Sequence, residues 1–218
     1  MKKLLTVSVI IPVFNQEKYI ERCLRSILTQ DFNSNEYEII VINDGSTDKT
    51  IEALKNFRED ITILNNETNK GLPYLINRGI KESKSKYLIR LDSDDYVNKD
   101  FLKIMTLFLE TNNDIDAAAC DYFLVNDKED IISRKDCLKS PIACGIIFRK
   151  DHLVNIGLYD ESFLINEEKD LRIRFLKKYK IHRIELPLYR YRMHEQNMTK
   201  NVERVKFHDR KLYKKYEK

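Results

Sequence analysis

Leu4-Leu5-Thr6-Val7-Ser8-Val9-Ile10-Ile11-Pro12-Val13 is the stretch whose reading decides the class of this chain. It is a β-rich apolar run without polar alternation, as in a strand buried on both faces. It stops at Phe14-Asn15-Gln16. Then Ile20, Cys23, Leu24, Ile27 and Leu28 recur at i, i+3, i+4, i+7 and i+8, the apolar stripe of a helix. The same unit repeats. Ile39-Ile40-Val41-Ile42 reads as a second buried strand, ended by Asn43-Asp44-Gly45-Ser46-Thr47. Ser46 or Thr47 is expected to cap the next helix, which carries Ile51, Leu54 and Phe57. Ile61 to Leu64 reads as a third strand. Gly71-Leu72-Pro73 opens a helix with proline in its first turn and Leu75, Ile76 and Ile80 facing inward. Tyr87 to Leu91 is a fourth strand, stopped by Asp92-Ser93-Asp94-Asp95.

Strand–helix alternation of this kind predicts an α/β fold: a mostly parallel central sheet flanked by helices, with right-handed crossovers. Ligands of such sheets bind beyond the carboxyl ends of the strands. The polar clusters at 14–16, 43–46 and 92–95 all fall at those ends, so one rim of the sheet is expected to carry the site. The second half is less regular. Lys99 to Leu109 reads as a helix and Ala117 to Val125 as a strand. Gly145 to Phe148 is short and β-like. A helix starts near Glu167-Glu168, with Leu171, Phe175 and Lys178 on one side. Ile181 to Ile184 and Tyr189 to Met193 read as strands around Pro187. Val202, Val205, Leu212 and Tyr216 form one stripe of a last helix.

With 218 residues, 42% hydrophobic and 34% charged, the chain fits one globular domain and no disordered class. Cysteines at 23, 120, 137 and 144 form no C-x-x-C pair and suggest neither a zinc site nor a disulfide framework. A reducing cytoplasm is the simplest home. The apolar start ends at Pro12 with no small-residue cleavage site, against a signal peptide. No run approaches the ~18 apolar residues of a spanning helix. The N-x-T triplets at Asn66 and Asn197 then read as chance matches. Residues 200–218 hold eight Lys or Arg and three Asp or Glu, so the chain's net +4 sits in this tail and the body is near neutral. No base-reading motif accompanies it, and nucleic acid is not an expected partner. Such a charge run is usually a solvated face. Yet Lys206, Arg210, Lys211, Lys214 and Lys215 lie beside an apolar stripe, which suggests peripheral association with an anionic membrane through 202–218.

Three carboxylates within Asp92-Ser93-Asp94-Asp95 repel one another unless a cation or water screens them. At a strand end they suit a hard divalent ion, Mn²⁺ or Mg²⁺, that shares its shell with phosphate. A calcium loop needs Gly and Glu where Val97 and Lys103 stand. The plain alternative is a solvated turn capping the next helix. Asn43-Asp44-Gly45-Ser46 is a turn whose carboxylate could accept a pyrimidine imide N–H. Glu167-Glu168-Lys169-Asp170 is either acidic decoration of a helix start or a general base for a sugar hydroxyl. His194, after a strand, is a surface histidine or a metal ligand.

In order and spacing these segments resemble the family 2 glycosyltransferases of the GT-A fold. Val7 to Asn15 looks like the family's opening strand, Ile40 to Asp48 its second motif, and Asn69-Lys70-Gly71 through Asn77-Arg78-Gly79 its next stretch. Leu91 to Asp95 looks like the D-x-D motif, Gly157 to Leu171 the acidic motif, and Tyr189 to His194 the closing strand. The resemblance runs from about 6 to 199. It implies one glycosyltransferase domain, with a Rossmann-like nucleotide-sugar-binding half to about 98, a smaller acceptor-binding half over 99–199 and the basic helix. It implies inverting transfer from a nucleotide-diphosphate sugar, a UDP-sugar first, to a hydroxyl of a glycan or lipid-linked saccharide, as in bacterial surface polysaccharide synthesis. That work would sit in the cytoplasm, with the tail pointing to the inner face of the membrane.

Pro12, Phe14 and Asp44 would then hold the nucleobase, with Asn15, Gly45 and Ser46 completing those loops. Gly71 and Asn77 would flank the donor from the following stretch. Asp92 and Ser93 would face the ribose and metal region. Asp94 would bind a divalent cation (Mn or Mg), which His194 completes. Glu168 would be the catalytic base. The family usually carries Asp at that place, so Glu167 and Asp170 stand as alternatives. A sugar nucleotidyltransferase needs a glycine-rich loop after the first strand, and Pro12 to Gln16 contain no glycine. The remaining rival is a nucleotide-sugar-binding scaffold that has lost catalysis.

Overall fold

The computed structural model describes residues 5–195, 197 and 202–217. Leu4, the expected start of the first strand, lies outside them, as do Met198 and Thr199 of the second N-x-T triplet and the side chains of Val202 and Val205. The first half follows the expected alternation: β1 (Val7–Val13), α1 (Ile20–Leu28), β2 (Tyr37–Asn43), α2 (Thr50–Lys55), β3 (Thr62–Asn65), α3 (Leu72–Glu82) and β4 (Tyr87–Arg90). All seven residues of β1 are buried, which is what an unbroken apolar run requires. β1 pairs in parallel with β2 and β4, and β2 with β3.

Beyond β4 come β5 (Tyr96–Val97), α4 (Phe101–Thr111), β6 (Ala117–Val125), β7 (Ile131–Lys135), β8 (Ile146–Arg149), α5 (Lys150–Asn155), α6 (Glu167–Leu176), β9 (Ile181–Arg192) and α7 (Val202–Tyr216). The nine strands of the described residues join one sheet in the order β3-β2-β1-β4-β8-β6-β9-β5, with β7 on β6. The sheet is parallel through β3, β2, β1 and β4. It is mixed beyond, where β8 runs antiparallel to both β4 and β6 while β9 runs parallel to β6. The α/β class stands, with helices on both faces.

The two faces sort by the pleat. Val7, Val9, Ile11 and Val13 pack with α1 and α4, while Ile10 packs with Leu75, Ile76 and Ile80 of α3 and with Leu171 and Phe175 of α6. Gly79 lets α3 lie close on the sheet, since a Cβ there would come within 2.6 Å of Ile10 Cγ2.

Several local expectations change. The two strands expected around Pro187 are one, β9. Its ladder with β6 shifts register at Asp121, which pairs with Pro187, so the missing N–H falls at an irregularity and not in regular ladder. α2 is not capped by Ser46 or Thr47; Asp48 Oδ1 accepts from Thr50 N instead, at 2.9 Å. β5, β7 and α5 are too short or too polar to show in periodicity.

Asp121 is fully buried at that irregularity, and Arg183 and Arg134 both donate to it, at 2.7 and 2.8 Å. The hydrogen bond from Arg183 outweighs burial, and with Arg134 it holds the carboxyl well below the usual range. Asp136 and Cys137 lie close enough to share a metal with Asp121, but Arg183 already bridges Asp121 and Asp136. A carboxyl depressed in the folded state contributes stability above its unfolded pKa, which is lost as pH falls through the folded value. Asp121→Asn is therefore expected to flatten the acid limb: its Tm should change less than the parent's between neutral pH and pH ~3. Parallel melting curves for the two proteins would refute this.

The four cysteines are buried and free. Among the described residues no helix is long and apolar enough to cross a membrane. In α7, Lys211 and Lys215 turn inward, onto Ser162, Asp160 and Asp170. Lys206, Arg210 and Lys214 stay exposed beside Phe207 and Tyr213.

Candidate functional site on the rim of the parallel strands

The carboxyl ends of β1, β2 and β4 place their polar loops side by side. Asn15 sits in the left-handed region (φ 51°), which Asn tolerates, and laces the first loop to the second. Its N–H donates to Ser46 Oγ at 3.0 Å and its Oδ1 accepts Thr47 N at 2.8 Å. Gly45 (φ 72°) passes so close to the 67–68 backbone that a Cβ would stand 3.3 Å from Glu67 O. Asp44, 1% exposed, accepts Asn66 Nδ2, Lys70 N and Gly71 N at 2.8, 2.9 and 2.9 Å. It thereby shapes the loop that ends at Gly71, whose φ of 90° starts α3. Two carboxylate oxygens offer about four acceptor positions, so Asp44 keeps capacity for one further donor. Pro12 is buried at the end of β1, whereas Phe14 presents a 42% exposed ring at the rim.

The acidic turn after β4 is held from beneath. Arg90 forks onto Asp92 (Nε to Oδ1, 2.7 Å; Nη2 to Oδ2, 3.1 Å) and donates through Nη1 to Glu167 Oε1 at 2.9 Å. Asp95 is 2% exposed and accepts Tyr189 OH and Arg192 N at 2.7 and 2.8 Å. Burial, then the charges of Asp94 and Asp92, push its carboxyl well above the ordinary range. Ser93 is buried. Asp94 Oδ2 stands 2.8 Å from His194 Nε2, and the Asp94 carbonyl accepts Arg192 Nε at 2.9 Å. The Asp94 carboxylate is an oxygen donor of the kind Mn²⁺ and Mg²⁺ take, and the His194 imidazole, a transition-metal ligand, converges on it from the end of β9.

The acidic helix start sorts its candidates by their partners. Glu167 is 3% exposed and bound to Arg90; burial pushes its carboxyl up to about 7, against the pull of that guanidinium. Asp170 is fully buried and taken by Arg174, Lys215 and Tyr216. Glu168 is half-buried, and its carboxylate forms no hydrogen bond or ion pair among the described residues. It lines an apolar cavity of about 80 Å³ with Ile146, Phe148, Tyr159 and Phe175. Asn77 is engaged within the fold. Its amide donates to Tyr159 O and Glu161 Oε1 and accepts Tyr159 N, each at 2.9 Å, tying α3 to the segment before α6.

Arg90 belongs to none of the sequence motifs, though a lone cation inside Tyr87-Leu88-Ile89-Arg90-Leu91 is a signal: a buried charge needs partners. Arg90→Met should strand two carboxylates, one of them deeply buried, and cost about 3–5 kcal/mol of stability. A denaturant midpoint equal to the parent's would refute the bridge's role.

The geometry has counterparts. The model of glycosyl transferase family 2 matches residues 8–174. Poly(ribitol-phosphate) beta-N-acetylglucosaminyltransferase TarS of Staphylococcus aureus is 37% identical over 109 residues, which are 49% of this chain and 19% of TarS. An uncharacterized glycosyltransferase of Rickettsia typhi is 30% identical over 212 residues, covering 88% of this chain and 65% of that one. The chain thus spans less than two thirds of the length of these relatives. Among solved structures, S. aureus TarS 1–349 in complex with UDP-GlcNAc superposes with a TM-score of 0.77 at 25% identity, covering 90% of this chain and 61% of that one. The mannosyltransferase PcManGT of Pyrobaculum calidifontis, in complex with GDP-Man and Mn²⁺, shares the fold at a TM-score of 0.72 and 17% identity, over 89% of this chain and 59% of that one. The family match runs from the second residue of β1 into the last turn of α6, through the polar rim and the acidic helix start alike, and on this extent the chain belongs to glycosyl transferase family 2.

Proposed function

We propose that the chain is an inverting, metal-dependent glycosyltransferase that takes a sugar from a UDP-sugar, UDP-GlcNAc first, and passes it to a hydroxyl of a cell-surface polymer or lipid-linked saccharide. The observation that carries this is the Arg90 bridge: it joins Asp92 of the rim to Glu167 of α6, and so brings the adjacent Glu168 to the same site. Relatives named for transfer to poly(ribitol-phosphate), and a likeness to a UDP-GlcNAc complex, support the donor and the acceptor class.

Phe14 offers its exposed ring to the base, and Asp44 keeps one acceptor position for an imide N–H. Asp94 and His194 would hold the divalent cation, which when bound offsets charge on the leaving diphosphate. Glu168 takes the proton of the acceptor hydroxyl as the new C–O bond forms at the anomeric carbon. The bond to the diphosphate breaks on the opposite face, and its electron pair leaves with UDP. The apolar cavity beside Glu168 receives part of the acceptor, with the aromatic rings of Phe148, Tyr159 and Phe175 as its walls. The exposed cations and aromatic rings of α7 are the part of the tail left to meet an anionic membrane.

The test is a melting screen with UDP-GlcNAc, UDP-glucose and GDP-mannose in Mn²⁺, followed by UDP release with poly(ribitol phosphate) or water as acceptor. Stabilisation by a UDP-sugar and UDP release support the proposal. Stabilisation by GDP-mannose alone would overturn the donor, and binding without any release would favour a non-catalytic scaffold.

A further inference from the structure

α6 begins on an unusual residue. Asn166 is 4% exposed and left-handed (φ 65°, ψ 19°), and its side chain does not cap its own helix. A non-glycine residue keeps such a conformation when its surroundings over-determine it. Here the amide Nδ2 instead donates to Asp209 Oδ1 of α7 at 2.9 Å. The same oxygen accepts Lys169 Nζ, also at 2.9 Å. Asn166 and Lys169 are the residues immediately before and after the Glu167-Glu168 pair. One carboxylate oxygen on a distant helix therefore holds both flanks of the acidic motif.

The rest of α7 grips the same segment. Lys215 donates to Asp160 and Asp170, and Tyr216 to Asp170. The ammonium groups of Lys211 and Lys215 lie 4.6 and 5.1 Å from the centre of the Phe163 ring. These contacts anchor α7 and reach Asp170 at the end of the first turn of α6; the two to Asp209 are the ones that flank the Glu167-Glu168 pair itself. Glu167 is held from the other side by Arg90. Among the described residues Glu168 has no hydrogen-bond or ion-pair partner, so its place is set by the turn that carries it. A base must stand within hydrogen-bond reach of the proton it removes, and a displacement of ~1 Å can cost ~10²-fold in rate.

We propose that Asp209 is a positioning residue for the general base: through Asn166 and Lys169 it sets the first turn of α6 so that Glu168 meets the acceptor hydroxyl. This rests on Glu168 being the base. Asp209 touches no reacting atom, and the donor rim lies on other elements. Its loss should lower kcat and spare donor binding.

The experiment uses the full chain and UDP release from UDP-GlcNAc with poly(ribitol phosphate), well below the melting temperature of every variant. Asp209→Ala is expected to lower kcat by ~10–100-fold with the KM for UDP-GlcNAc unchanged. Asp209→Asn retains an oxygen that can accept from both donors, and it should recover most of that loss. In a Glu168→Gln background, Asp209→Ala should cost nothing further, because residues acting as one unit are non-additive. A purely structural role would lower activity equally in both backgrounds. An unchanged kcat in Asp209→Ala, failure of Asp209→Asn to recover it, or an additive loss in the double variant would each overturn the proposal. Full activity in Glu168→Gln alone would instead show that the base assignment has failed.

Discussion

Alanine at position 94 is expected to remove the Mn²⁺-stimulated release of UDP from UDP-GlcNAc, by at least ~10²-fold. Offsetting charge on a leaving diphosphate is worth several kcal/mol, and each 1.36 kcal/mol is about tenfold. Of the turn's three carboxylates, Asp92 is held by Arg90 and Asp95 is buried under Tyr189 and Arg192, while Asp94 converges with His194. The loss should therefore be specific: Mn²⁺ should no longer add to the melting shift that UDP produces in Asp94→Ala, although UDP alone still binds. Full Mn²⁺-stimulated release in this variant, or parent activity that persists in excess chelator, would sink the assignment.

Glutamine at position 168 should lower transfer by ~10²–10⁴-fold, the usual contribution of a positioned acid or base. Glutamine keeps the size of the side chain and loses its basicity, so binding of UDP-GlcNAc should match the parent's. Glu167→Gln is the informative contrast. That side chain is bound to Arg90 and buried, so its replacement should register in stability as well as rate. Glu168→Asp introduces the residue more usual in the family and should remain active, its carboxylate withdrawn by about one bond. A parent-like rate in Glu168→Gln, with Glu167→Gln inactive yet as stable as the parent, would move the base one residue back.

The sequence by itself determined the parallel half of the fold and the place of the rim. Long apolar runs alternating with i, i+3, i+4 stripes leave few other arrangements, and β1, α1, β2, β3, α3 and β4 lie where that pattern puts them. It also carried the family, because the order of several motifs is far more specific than any one. The second half was less legible. β5 has two residues and β7 is an exposed, charged edge strand, so neither leaves an apolar period. β9 is one strand across Pro187 because its irregularity is set by pairing with β6.

What only the tertiary structure decided is which side chains are already engaged. In space Asn77 ties α3 to the segment before α6, and Asp44 shapes the loop before α3 while keeping one acceptor position. Glu167, Glu168 and Asp170 are near-equivalent carboxylates in sequence. They differ because Arg90 reaches the first from β4 and Lys215 the last from α7, leaving Glu168 without a partner among the described residues. Those partners lie 77 and 45 residues away. Local pattern reports which face of an element is apolar, but pairing of charges depends on which elements the fold brings together.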